Sequence, residues 1–204
     1  KDQHVNNREY HLYLPLYNSV KWMQISVPKE SEFNALPVRK EKPILVYGTS
    51  IAQGACSSRP GMAWPNILER KLETPFINLG FSGNGRLEKE LLDLIAEVDS
   101  RLYVLDCLPN MTSGRFSDKE LKKRIIDAIL LLKTKRPDTP ILLTAHSGYS
   151  DEGINDAHKK EYRDANTVLK TTFDSLVGKG VNNICHLSKE EINTLLRDVS
   201  FCAA

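Results

Sequence analysis

From Pro43 onward the chain alternates short apolar runs with longer segments whose apolar residues recur every three or four positions. The runs at 44–47, 76–79, 102–105, 141–144 and 183–187 are short and bounded by turn residues, so they predict five β-strands. Strands that alternate with helices predict a parallel sheet, because each crossover must travel back along the sheet before the next strand begins. The clearest helix starts near Asp118. Ser117-Asp-Lys-Glu120 reads as a capping box, Leu121, Ile125, Ile129 and Leu132 share one face, and Pro137 closes the segment. Ser188-Lys-Glu-Glu191 repeats the capping box ahead of a shorter helix.

Before Pro43 the pattern differs. Residues 9–17 and 20–27 alternate apolar and polar positions, with Met23, Ile25 and Val27 on one face. They predict a β-hairpin turning at Asn18-Ser19. Two strands alone are marginal in water, so this pair must meet an upstream partner or the main domain. The charged stretch 28–42, with Pro28 and Pro37, reads as a linker. The expected division is therefore 1–42 and 43–204, with no internal repeat beyond the βα rhythm.

Three of the predicted strands end in residues that carry chemistry. The run Lys42-Pro-Ile-Leu-Val-Tyr-Gly-Thr-Ser50 delivers Ser50 to the turn after the first strand, where a hydroxyl can meet a substrate. Ser50 could equally cap the following helix. After the second strand, Gly83 offers a backbone N–H that no side chain blocks, and after the third stands Asn110, whose amide can donate. If the strands are parallel, all three residues leave the same carboxyl edge of the sheet, where open α/β sheets bind ligands. One nucleophile with two neutral donors, joined by the Ser50 N–H, forms an acyl-transfer constellation with an oxyanion hole. Gly80-Phe-Ser-Gly-Asn-Gly85 lacks the Gly-x-Gly-x-x-Gly spacing and follows the second strand, so nucleotide binding is not favoured.

Gly48-Thr-Ser50, Ser82-Gly-Asn84 and Asn110, taken in order, resemble the first three blocks of the SGNH hydrolases, the GDSL-like esterase and acylhydrolase superfamily. The loop Gly54-Ala-Cys-Ser-Ser-Arg-Pro-Gly-Met-Ala-Trp-Pro65 is similar to a bacterial branch in which a small β-domain leads the hydrolase domain. The resemblance implies a three-layer α/β/α fold around a mostly parallel five-stranded sheet of order 2-1-3-4-5. It implies Ser50 as nucleophile and Gly83 and Asn110 as oxyanion donors, with no cofactor and no metal. It also implies a small-molecule or carbohydrate ester as substrate, O-acetyl groups on a carbohydrate first, and an extracytoplasmic location. The loops 56–64 and 111–116 would set acyl-chain size, with Arg59 or Arg115 placed to hold an anionic or hydroxyl-rich leaving group.

Two departures stand out. The family's Gly-Asp-Ser is Gly-Thr-Ser here, and the fourth block, Asp-x-x-His, occurs nowhere between Lys1 and Ala204. The expectation is that the catalytic Asp and His lie beyond Ala204 and that the sequence also begins inside the leading domain. Among the five histidines, His146 follows the fourth strand at the correct edge and is the substitute candidate for base or substrate contact. His186 and His158 read as solvated, and His4 and His11 belong to another region. Without a base a serine hydroxyl is a weak nucleophile, so a catalytically incomplete ligand- or carbohydrate-binding module on the same fold is the alternative.

Composition narrows the picture a little further. With 204 residues, 41% hydrophobic residues and a net charge of +2, one core of ordinary size can form, and no basic face suits nucleic acid. No apolar run approaches the roughly 20 residues that span a bilayer. Cys56, Cys107, Cys185 and Cys202 fit neither a metal pair nor a redox motif. Cys107 and Cys185 are expected buried in strands, and Cys56 packed in the loop after Ser50 or lining the pocket.

Overall fold

A computed structural model describes residues 9–192; His4, Cys202 and the final residues 193–204 lie outside it. Five strands, β1 (Ile44–Thr49), β2 (Phe76–Phe81), β3 (Leu102–Asp106), β4 (Ile141–Thr144) and β5 (Ile184–Leu187), form one parallel sheet in the order β2-β1-β3-β4-β5. Between them run α1 (Ser50–Gln53), α2 (Trp64–Leu72), α3 (Lys89–Ile95), α4 (Asp118–Lys135) and α5 (Asp156–Gly178). The expected order is thus observed, with β1 and β3 side by side at the point where the winding reverses.

Alternation along the strands divides the core. Leu45, Tyr47, Tyr103, Leu105, Ile141 and Leu143 pack with the apolar stripes of α3, α4 and α5. Val46 and Val104, one residue out of phase, face Ala52 of α1 and Trp64 of α2. Helix α4 buries Leu121, Ile125, Ile129 and Leu132 as its spacing predicts, together with Ala128. Its cap is Ser117, whose hydroxyl accepts the Glu120 N–H at 3.3 Å. The second capping box is reciprocal: the Ser188 hydroxyl accepts the Glu191 N–H at 3.2 Å, and the Glu191 carboxylate accepts the Ser188 N–H at 2.8 Å.

The hairpin expected before Pro43 is not present. Residues 9–43 carry neither strand nor helix, with bends near 16–18 and a turn at 29–30. A hairpin needs its two arms to satisfy each other's backbone groups. Here Pro15 lacks a donor, and the Leu16 carbonyl instead accepts from Gln53 at 2.9 Å. The apolar residues of the second predicted arm lie open among the described residues: Trp22 is 79% and Met23 55% exposed. A second correction concerns Cys185, which is exposed on the edge strand β5, whereas Cys107, just past β3, is buried. Cys56 is exposed as well. Among the described residues no helix is long and apolar enough to cross a membrane.

Candidate active site

The strand β1 is buried until it reaches Ser50, which is only partly covered. The helix cap is Thr49: its backbone is extended and its hydroxyl accepts the Ile51 N–H at 3.3 Å. Ser50 is therefore the first residue of α1, and its hydroxyl is not consumed in capping. The helix ends after four residues at Gly54, whose N–H returns to the Ser50 carbonyl at 2.9 Å. So short a helix leaves Ser50 at the carboxyl edge of the sheet.

Gly83 stands on the exposed turn after β2 with φ +69°, and nothing lies within 4 Å of the place where a Cβ would be. Two residues on, Gly85 has φ +72°, and a Cβ there would lie 2.2 Å from the Gly48 carbonyl oxygen. Only glycine permits that approach, so the loop after β2 rests main chain against main chain on the end of β1. Arg86 donates from Nη2 to the Gly83 carbonyl at 2.6 Å.

Asn110 closes a single 3₁₀ turn, Leu108–Asn110, directly after β3. Its Nδ2 donates to the Asn84 carbonyl at 2.5 Å, and its Oδ1 accepts from Arg115 at 3.4 Å. That leaves one N–H of the amide for another acceptor. Ser50, Gly83 and Asn110 thus stand at the carboxyl ends of three neighbouring strands, β1, β2 and β3, and Gly83 and Asn110 are tied through Asn84. Beside them, burial pushes the Asp106 carboxyl up to about 6, opposed by the Thr144 hydroxyl that donates to it at 2.8 Å. Asp106 is paired in register with Gly48.

His146 is placed differently. It follows β4, which β3 separates from β1. Its ring is 1% exposed and lies between Tyr149 and Tyr162, with centroids 4.6 and 5.7 Å away. Nδ1 accepts the Gly148 N–H at 2.9 Å, so the neutral ring carries its proton on Nε2, which has no partner among the described residues. Burial lowers its pKa to about 4. Such an imidazole is covered in this structure and resists protonation, and its contacts shape the loop after β4. Asn166 completes that arrangement, accepting the His146 N–H at 2.8 Å and donating to its carbonyl at 3.0 Å.

The remaining candidates divide. Arg59 is exposed at the start of the Pro60–Met62 turn, and Arg115 is exposed beside Asn110. His158, at the start of α5, pairs with Asp151 at 2.8 Å and holds that carboxyl below the ordinary range. His186 is partly buried against Phe173, with centroids 5.7 Å apart, and burial lowers its pKa. His11 is exposed and pairs with Glu9 at 2.8 Å. In α5, Glu161 accepts from the Thr112 hydroxyl and, at 3.3 Å, from the Gly114 N–H, while Tyr149 stacks between His146 and His158. The loops after β3 and β4 therefore both hang on this helix. Gln53 and Arg86 were not singled out from the sequence: the side chains bind backbone atoms of Leu16, Ser82 and Gly83, which leave no mark in residue type.

Comparison with known proteins adds the family. The model of the GDSL-like lipase/acylhydrolase family matches residues 41–200. The chain belongs to that family. A model of the N-terminus of SGNH-hydrolase-type esterases matches residues 1–33. Among solved structures, this acylhydrolase-family chain is similar to a protein assigned as a GDSL-like lipase from Bacteroides ovatus, with 36% identity and a TM-score of 0.66 over 72% of this chain and 42% of that one. It is similar in fold to SsfX3, a salicylyl-acyltransferase from a tetracycline biosynthetic pathway, at 20% identity and TM-score 0.62 over 73% of this chain and 43% of that one. A family two carbohydrate esterase from Clostridium thermocellum, solved with cellohexaose, shares the fold at 13% identity and TM-score 0.60, over 77% of this chain and 56% of that one. The chain thus spans less than half the length of the first two. No curated protein matches it.

Proposed function

We propose that this chain carries the Ser50 half of a serine esterase that cleaves a small acyl ester. Ser50 Oγ adds to the ester carbonyl carbon, and the oxygen gains negative charge. The Gly83 N–H, the free N–H of the Asn110 amide and the Ser50 N–H donate to that oxygen and stabilise its charge; the alcohol then leaves and water releases the acyl group from Ser50. Each such donor is typically worth about 3 kcal/mol in the transition state. The observation that carries the reading is the juxtaposition of Ser50, Gly83 and Asn110 at one sheet edge, with Asn110 fastened to the Gly83 loop through Asn84.

A short acyl group on a carbohydrate is the substrate class we favour, supported by the carbohydrate esterase among the structures of like fold. Arg59 and Arg115 are the exposed cations that would meet the leaving group, and an extracytoplasmic site of action suits such a substrate. We assign residues 1–42 to a leading segment and 43–204 to the hydrolase domain. The base that takes the Ser50 proton belongs in this scheme to an Asp-x-x-His block, a spacing that residues 1–204 do not contain.

The second reading is a binding module that keeps the fold and the strand-end residues without turnover. A fluorophosphonate probe with mapping of the adduct separates the two. Labelling at Ser50, lost in Ser50→Ala, supports the esterase; labelling elsewhere that survives Ser50→Ala overturns it. Saturable binding of an acetylated oligosaccharide with no adduct at all supports the binding module.

A further inference from the structure

Residues 13–16 cross the loop between α1 and α2 as an extended strap. Tyr13 lies flat on Gly61, where a Cβ would be 2.9 Å from its ring, and Arg70 holds both its hydroxyl, at 3.0 Å, and its ring face, at 5.3 Å. Leu16 fills the space beside Gly54, its Cδ1 2.7 Å from where a Cβ would stand. Between these contacts the Leu16 carbonyl accepts Gln53 Nε2 at 2.9 Å. The other end of the same amide points the opposite way: Gln53 Oε1 accepts the Ser82 N–H at 2.8 Å. A flipped amide would set donor against donor and acceptor against acceptor, so both partners fix its orientation.

Gln53 is the last residue of α1, three after Ser50, and Ser82 immediately precedes Gly83. Up to Gly80 the strand β2 is already bound to α1: a Cβ on Gly80 would lie 2.2 Å from the Gln53 nitrogen, and Asn78 donates to the Ala52 carbonyl at 2.8 Å. Past Phe81 the chain leaves the sheet, and residues 82–84 are exposed. There two side-chain amides hold the loop on either side of Gly83, Gln53 at Ser82 and Asn110 at Asn84, while Arg86 donates to the Gly83 carbonyl itself. Gly83 lies in the middle.

We propose that Gln53 is a positioning residue that sets the orientation of the Gly83 N–H and couples it to the seating of the 13–16 strap. This rests on the reading of Gly83 as an oxyanion donor. An exposed glycine has no side chain to hold it, and Arg86 fixes its carbonyl rather than its N–H, so losing the Gln53 bond at the preceding residue widens the range of directions the N–H can take. The strap engages the other end of the amide, so its docking and the readiness of the loop share one hydrogen-bonded unit.

Three variants of the whole chain test this by amide hydrogen exchange, by limited proteolysis around Tyr13, and by turnover of p-nitrophenyl acetate. Gln53→Leu keeps the bulk and loses both bonds. The Ser82 amide should exchange about tenfold faster while the β3 amides keep their rates, and any kcat should fall about tenfold at unchanged KM. Gln53→Glu keeps an acceptor for Ser82 but sets a carboxylate against the Leu16 carbonyl; the strap should become protease-sensitive, and Ser82 exchange should rise, though less than in Gln53→Leu. Tyr13→Ala, remote from the reacting atoms, should raise Ser82 exchange in the same direction as Gln53→Leu. Unchanged Ser82 exchange in Gln53→Leu overturns the proposal, and so does equal acceleration throughout β1 and β3, which marks general loosening. The exchange and proteolysis results decide the role of Gln53 without turnover, whereas the esterase reading stands or falls separately on fluorophosphonate labelling of Ser50, because residues 1–204 hold no Asp-x-x-His spacing.

Discussion

Asn110 donates its side-chain N–H to the backbone carbonyl of Asn84 at 2.5 Å, so the turn after β3 holds the loop after β2 across the end of β1. The same amide keeps a second N–H, which the proposed mechanism assigns to a developing oxyanion. Asn110→Ala removes both functions. We expect kcat to fall about a hundredfold with KM little changed, accompanied by faster amide exchange at residues 82–84. A loss confined to KM would mark Asn110 as an ordinary substrate contact.

Gly83 and Gly85 should respond differently to the same small change. Both have positive φ, but a methyl at Gly83 meets nothing whereas one at Gly85 runs into the Gly48 carbonyl. Gly83→Ala should cost about 1 kcal/mol of stability, the strain of a left-handed alanine. Gly85→Ala should cost about 3 kcal/mol or more, because β1 or the loop must also shift. Urea unfolding of the two variants measures the contrast, and equal midpoints would contradict the contact.

Asp106 makes stability fall as pH rises. Its folded pKa, about 6, lies above the ordinary 3.8. Its share of stability is therefore fully present below pH 3.8 and is lost as pH climbs through 6. Asp106→Asn can still accept from Thr144 and escapes the ionisation, so it should be more stable than the parent by about 2 kcal/mol at pH 7.5 and by little at pH 3.5. Thermal unfolding at the two pH values checks the sign.

His146 works in the reverse direction. Its folded pKa of about 4 lies below the ordinary 6.5, so its share is present above pH 6.5 and is lost as pH falls through 4. His146→Gln retains an acceptor for the Gly148 N–H and cannot take up that proton. Its unfolding midpoint should drop less than the parent's between pH 7 and pH 4, a difference of about 3 kcal/mol at the acid end.

The sheet was legible because each buried strand is a short apolar run and each long helix carries its own cap and stripe; strand order came with the family resemblance. Ser50, Gly83 and Asn110 were visible as strand-end residues for the same reason, since the end of a strand is readable where an apolar run breaks. The segment before Pro43 misled because alternation states which side chains a strand would bury, not whether a second strand is there to accept its N–H groups. The surroundings of His146 were illegible for a related reason. Its neighbours Tyr149, Tyr162 and Asn166 converge from a loop and a helix, and nothing in their spacing declares that a ring closes among them. Gln53 was hidden because a glutamine bound to two carbonyl-and-amide partners looks in sequence like any solvated one.

Helix α5 has a consequence for attempts to enlarge the range of acyl groups. Glu161 grips the 111–116 loop, and the same end of the helix clasps the loop after β4 through Tyr149 and His158. The two loops are thus hinged on one post. If they border the acyl group, as the esterase reading would have it, trimming a single loop residue would leave a hole rather than a broader groove. Accommodating a bulkier acid calls for paired changes, one in each loop, or a new angle for the helix that carries them both.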